Sequence, residues 1–475
     1  MTMTQKQSSQ GTEAPATGVL SKISVLGYGA GDAANNLAFT TATMFLLVYY
    51  TDVAGISAAA AGTLLLVVRI FDAFADVLAG RMVDRTYHKK LGKFRPYIMF
   101  GSVPLLLLSV ATFSIPQIGE SGMLLWAYLS YALLGLAYSF VNIPYGSLAG
   151  AMTQNSGERA KLASARTIGA VAVGSFLGIF IAPLMKGGEN LQPLFTTLTV
   201  IFAVVGTGLY MFTVFSTKER VVREVSKVSM KQSIETLKGN KPLLLLCISS
   251  FLFLTGQLAL GTVQIYYFRD VLHSLGLYAL MSIINIVLTF GMAAILPRLV
   301  RAAGKKNIYM GGALLMAIGG LTVFLAPSSM VWLAFTGVVI TQVGLLLVSM
   351  LVWALEADTV EYGEWKTGIR TEGITYALFS FTRKTGQAVG GALAAFALAW
   401  GGYTAGAAQQ TEHAILGIRA GAGLLPMVFA LLALLVMIVY PLTDAKHKEI
   451  VAHISERRAA RLEEALDRRE SDDNA

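Results

Sequence analysis

Apolar runs such as MLLWAYLSYALLGLAYSFV and AGLLPMVFALLALLVMIVYPL recur along this chain, each near the roughly 20 residues that a bilayer-spanning helix needs. Inside a bilayer every backbone polar group must find its partner within the spanning element or a closed sheet, which leaves helices or a barrel. The runs are unbroken Leu, Ala, Val and Phe with no period-two alternation, so the barrel is excluded. Composition agrees. Only 14% of the 475 residues are charged and 55% are hydrophobic, with a mean hydropathy of +0.62, whereas soluble domains carry about 25% charged residues. The chain is predicted to be an all-α membrane protein.

Twelve such runs fall near 23–50, 57–84, 96–115, 122–152, 161–184, 194–215, 241–268, 273–298, 307–326, 330–355, 372–400 and 419–441. The connections alternate in charge: DRTYHKKLGKFRP, QNSGERAKLASAR, PRLVRAAGKKN and the C-terminal tail are basic, whereas TDVAGIS, IPQIGES and APSSM have no Lys or Arg. Basic loops stay in the cytoplasm, and an even number of spans puts both termini there. The division expected is a disordered cytoplasmic N-terminus 1–22, a six-helix bundle 23–215, a basic cytoplasmic loop 216–240, a second six-helix bundle 241–441 and a charged cytoplasmic tail 442–475. GRMVDRTYHKKLGKFRP echoes LPRLVRAAGKKN, and GERAKLASARTIGAVAVG echoes GIRTEGITYALFSFTRKTGQAVGG. Two parallel six-helix repeats are the plan of the major facilitator fold, whose substrate site lies at midplane between the halves.

Charge inside the runs points to function. In RIFDAFADVLAGRMVDR, Arg69, Asp72 and Asp76 share one helix face through their three- and four-residue spacing. A charge at the centre of a membrane helix costs at least about 2.5–3.5 kcal/mol and as a rule faces a cavity or pathway. Arg69 neutralises one aspartate; the second is expected to await a mobile cation or proton. Arg166, and Lys384 with Arg383, are positive groups set inside the fifth and eleventh runs. Asn35, Asn36, Tyr138, Ser139, Asn142, Gln257 and Asn285 supply uncharged donors and acceptors suited to a polyhydroxylated ligand, with Tyr138 and Tyr145 offering ring surface. The acidic stretch WALEADTVEYGEWKTGIRTEG places Glu356, Asp358, Glu361 and Glu364 where ion pairs with Arg85, Lys93 or Arg95 of the other half would hold the cytoplasmic side shut.

The net charge of +9 resides in the loops and reads as topology, not as nucleic-acid affinity. No phosphate-binding Gly loop ending in Lys-Ser/Thr is present, and the five His show no paired metal spacing. The single Cys247 lies within an apolar run and is read as a buried small hydrophobe. No enzyme activity and no cofactor are expected.

YYTDVAGISAAAAGTLLLVVRIFDAFADVLAGRMVD, GKFRPY, VNIPYGSL, ALEADTVEYGEW and FSFTRKTGQAVGG resemble the glycoside–pentoside–hexuronide:cation symporters, over about residues 23–445, with the nearest likeness to glucuronide-carrying members. The resemblance implies a monomeric major facilitator fold that imports sugar with a cation, by alternating access, across a bacterial inner membrane. Its cation site, for a proton or sodium, falls on Asp72, Asp76, Ser139 and Asn142. Its sugar site falls on Asn36, Tyr138, Asn142, Gly146, Arg166 and Lys384; Arg69, Arg85, Lys93, Arg95, Glu361 and Glu364 are expected in gating ion pairs. Melibiose-carrying members have Asp in place of Asn36 and Asn142, Lys in place of Asn35 and Trp in place of Gly146. Two carboxylates fewer, with Arg166 and Lys384 kept, leaves donors for an anion, so the expected cargo is a β-glucuronide carried with a proton or sodium. The alternative is a neutral glycoside or pentoside such as a xyloside. The partners expected are the sugar, the cation and the lipid bilayer, with no nucleic acid.

Overall fold

The structure, a computed structural model, describes residues 19–88, 90–153, 156–185, 191–220, 239–368, 372–407 and 409–457. The expected disorder of residues 1–18, most of the central loop (221–238) and the end of the tail (458–475) lie outside the described residues.

Twelve long helices form the described chain: α1 (Lys22–Val48), α2 (Ala58–Arg85), α3 (Arg95–Thr112), α4 (Glu120–Met152), α5 (Ser156–Phe176), α6 (Leu191–Ser216), α7 (Lys241–Tyr266), α8 (Leu275–Ala303), α9 (Lys305–Leu325), α10 (Val331–Thr367), α11 (Glu372–Trp400) and α12 (Glu412–Ile438). Ten are long and apolar enough to cross a membrane. The other two, α1 and α11, are diluted by Asp32, Asn35 and Asn36 and by Arg383 and Lys384. Polarity thus concentrates on the helices that build the centre. Two boundaries differ from expectation. The tenth span does not stop near 355, because α10 continues through the acidic stretch to Thr367, where Gly368 closes the helix with φ 73°. The last span begins at Glu412, capped by the Thr411 side chain, seven residues before the apolar run suggested.

Packing repeats with a period of six helices. α1 packs on α5 and α6, α2 on α4, and α3 on α4 and α6; α7 packs on α11 and α12, α8 on α10, and α9 on α10 and α12. Between the halves, α2 meets α11, α5 meets α8 and α1 meets α7, a set that maps onto itself under the same exchange. The duplication seen in the loop sequences is therefore a duplication of packing.

Where α1 crosses α5, a Cβ on Gly169 would stand 2.5 Å from the Gly29 carbonyl oxygen, so only glycine permits the approach. The tail beyond α12 returns as a helix over 444–457 and buries Ile450 and Ile454 against the second half.

Candidate functional site

The close α1–α5 crossing sets Asp32, one turn from Gly29, beside Arg166 on α5. Nε of Arg166 donates to Asp32 Oδ1 at 2.8 Å, and Asn36 Nδ2 donates to Asp32 Oδ2 at 2.9 Å. Asp32 is nearly closed off at 5% side-chain exposure, while Arg166 remains 44% exposed. Its guanidinium lies 5.5 Å above the Tyr145 ring, and its Nη1 is 4.0 Å from where a Cβ on Gly146 would stand. Gly146 thus leaves an open face in front of this cation. Asp32 was missed by the sequence reading, because a lone Asp among glycines and alanines on α1 gave no partner by spacing.

The second charged group joins α2, α4 and α11. Arg69 Nη1 lies 3.8 Å from Asp72 Oδ2 and its guanidinium 5.4 Å from the Phe39 ring centre. Asp76 is paired with Lys384 across the two halves and accepts a hydrogen bond from Ser139 Oγ at 2.7 Å. This corrects one expectation: Asp76 has a counterion within the protein, and it is the lysine assigned to the substrate. The spacing argument could not find the pair because its members are more than three hundred residues apart. One vacancy remains. Asp72 Oδ1 is buried with no hydrogen-bond partner, and it occupies the space that a Cβ on Gly135 of α4 would need.

Other expected residues divide. Tyr138 is half-buried, stacked on Phe39 at 5.5 Å; Asn142 lies one turn beyond Tyr138 on α4, half-buried. Asn36 uses its amide nitrogen on Asp32 and its oxygen on Thr40, so it positions Asp32 in this state instead of facing a ligand. Tyr145 is not available as ring surface: it is wholly buried, stacked on Tyr28 at 4.7 Å and bonded to the Tyr28 carbonyl oxygen. Asn35 accepts from Tyr210 and Asn285 from Gln342, both ties within one half, and Gln257 keeps a buried oxygen without a hydrogen-bond partner. Arg383 stacks on Trp353 at 4.5 Å.

Several residues of the expected gate have partners within their own half. Asp358 pairs with Lys305 and Glu361 with His447 of the tail, both inside the second half. Arg95 donates to the carbonyl oxygens of Leu91, Val214 and Thr217, and the backbone N–H groups of Lys93 and Arg95 donate to Glu219, all inside the first. Arg69 is not at a gate but deep beside Asp72. Glu364 lies in the last turn of α10, and the Arg85 side chain lies outside the described residues.

A latch missed from sequence ties the halves at the ends away from the termini. Arg269 donates to Asp52 at 2.6 Å, to Asp270 at 2.8 Å and to Tyr403 Oη at 2.6 Å, and Tyr403 also donates to Asp52. The Thr51 and Tyr266 hydroxyls meet at 2.9 Å. Its signal was present as a third internal echo, YYTDV at 49–53 and YFRDV at 267–271, both of which fold as π-helical turns. The related helix ends meet on the axis between the halves.

Residues 27–444 match the family described as MFS/sugar transport protein. The chain is 46% identical over 443 residues to the glucuronide carrier protein homolog of Escherichia coli (strain K12), covering 92% of this chain and 96% of that one. It is 33% identical to the isoprimeverose transporter of Lactiplantibacillus pentosus over 81% of each chain. Among solved structures, a nucleoside transporter superposes with a TM-score of 0.59 at 12% identity, over 88% of this chain and 98% of that one.

Proposed function

The chain belongs to the MFS/sugar transport family, and from that premise we propose that it imports β-glucuronides across a bacterial inner membrane together with a proton or sodium ion. A multi-pass sugar transporter of the symporter kind, not an enzyme, is what the family establishes. The observation that carries the finer reading is the half-exposed Arg166 guanidinium, fixed from one edge by buried Asp32 and facing open space at Gly146. Arginine takes a carboxylate with charge-assisted, often bidentate hydrogen bonds, and Tyr138 and Asn142 lie on the neighbouring face of α4 for the sugar hydroxyls.

Coupling follows from charge. Arg69–Asp72, Lys384–Asp76 and Arg166–Asp32 are balanced pairs. Adding a glucuronate to these balanced pairs favours positive charge taken up with it, and a coupling cation bound beside Asp72 would stabilise the closed cavity together with the anion. The unpartnered Asp72 Oδ1, next to Asp76 and Ser139, is the assigned landing point for that cation. Cation and sugar drive the cycle only if together they favour the occluded state more than either alone. The latch at Arg269 corresponds to closure on the periplasmic side, with both termini in the cytoplasm and a single chain as the working unit.

A neutral-glycoside symporter is the second reading. It is favoured by the carboxylates that already hold Arg166 and Lys384, and by similarity to an isoprimeverose transporter. Counterflow in proteoliposomes, competed by paired β-glucuronides and β-glucosides with and without sodium, separates the two. Glucuronides are expected to compete at least tenfold better; equal competition would leave the neutral reading standing.

A further inference from the structure

Asp32 is a buried acid outside the pair on α2 and has no role in the cation site just described. It sits on α1, nearly closed off, with both carboxylate oxygens engaged: Oδ1 by Arg166 Nε and Oδ2 by Asn36 Nδ2. The titratable groups around it are Tyr28 on its own helix, Tyr138 and Tyr145 on α4, Tyr210 on α6 and Arg166 on α5. Among the described residues no second carboxylate joins this cluster. Tyr145 and Tyr210 spend their hydroxyl protons on the Tyr28 carbonyl oxygen and on Asn35. The cation that would receive a substrate carboxylate is therefore already neutralised by an internal one.

We propose that Asp32 is a proton-binding residue that exchanges its charge for the substrate's, so that an anionic sugar enters with a proton of its own, separate from the coupling ion at Asp72 and Asp76. In the empty site Asp32 is ionised and balances Arg166. As the substrate carboxylate docks on the open edge of the guanidinium, Asp32 takes one proton from the side to which the site is open, and the cluster stays neutral with the anion in place of its own carboxylate. When the site opens to the other side, the proton leaves Asp32 to water, Asp32 reclaims Arg166, and the anion is released. No bond is made or broken except at that proton. The buried position matters: Asp32 is nearly closed off, so its ionised form is poorly screened from a carboxylate docked on the same arginine. Gly169 is part of the device, because a side chain there would separate Asp32 from Arg166.

The proposal rests on an anionic substrate and deepens that reading. Its test uses the purified full-length protein in nanodiscs and calorimetric binding of p-nitrophenyl β-D-glucuronide in buffers of different ionisation enthalpy. Wild type is expected to take up about one proton at this site per glucuronide bound. On the alkaline limb its affinity is expected to fall about tenfold per pH unit, since protonated Asp32 stabilises the bound state and is lost as pH rises. Asp32→Asn should bind with that proton gone and the slope flattened; Asp32→Glu should restore both. Three results overturn the proposal: Asp32→Asn with the wild-type slope and proton count, Asp32→Asn unable to bind at any pH while Asp32→Glu binds normally, or wild type binding without proton uptake. If wild type binds no glucuronide at any pH, the substrate reading fails first and takes this one with it.

Discussion

Asp72 shows how much of a single residue can be inferred before its neighbours are known. Its spacing from Arg69 predicted a pair, and the structure has that pair at 3.8 Å. What spacing could not supply was the other oxygen, pressed without a hydrogen-bond partner toward the α4 backbone at Gly135. An orphaned buried carboxylate oxygen is costly, and a bound proton or ion would remove that cost. A methyl group at position 135 would collide with it, so Gly135→Ala is expected to disable this site with the helices still in place. The expected outcome is at least a tenfold loss of cation-driven accumulation with substrate counterflow retained, and Asp72→Asn should give the same split. Uphill uptake at wild-type levels in both would remove Asp72 from the coupling site. Asp76 teaches the opposite lesson. Its vacancy was inferred from its own helix, and Lys384 of α11 fills it.

At the scale of the element, the decisive contact is the crossing of α1 and α5. Helices in lipid gain little from the hydrophobic effect between themselves and associate where small residues let backbones approach. Gly29, Ala165 and Gly169 provide that approach and fix the distance from Asp32 to Arg166. Gly169→Val would force the two helices apart, with overpacking costing about 1–3 kcal/mol. The expected readout is a lower thermal midpoint together with weakened glucuronide binding; an unchanged midpoint with unchanged binding would mean that the crossing tolerates the wedge. The α1 and α11 sequences were legible as spans only by their place in the alternating series, since site residues dilute their apolar character. The length of α10 was not legible, because the apolar run stops near 355 and only the tertiary structure shows Lys305 paired with Asp358 and the His447 ring against Glu361.

For the whole molecule, the working unit is the pair of halves and the latch that joins them. Arg269 gathers Asp52, Asp270 and Tyr403 from both halves at one end. Arg269→Ala leaves Asp52 without its ion pair and should shift the two-state balance toward opening at that end by about 1–3 kcal/mol, or 5–150-fold. Cys247 is buried, so a Thr262→Cys reporter, buried on α7 and lining the cavity between the halves, can be read against a low background. Faster labelling by an impermeant maleimide is expected in the Arg269→Ala protein. An identical rate in the presence of the intact latch would show that it does not hold this end shut.

The sequence by itself determined the material and the plan. Apolar runs of spanning length dictate helices, loop charges order them, and repeated motifs double a six-helix unit, because these depend on composition and local spacing alone. Partnership was decided only by tertiary structure. Asp32 with Arg166, Asp76 with Lys384 and Asp52 with Arg269 lie far apart in the chain, and no periodicity of one helix reports which charge another helix will place beside it. A buried charge in lipid must be matched, so the sequence guaranteed that partners exist. Which ones meet follows from how closely the helices pack.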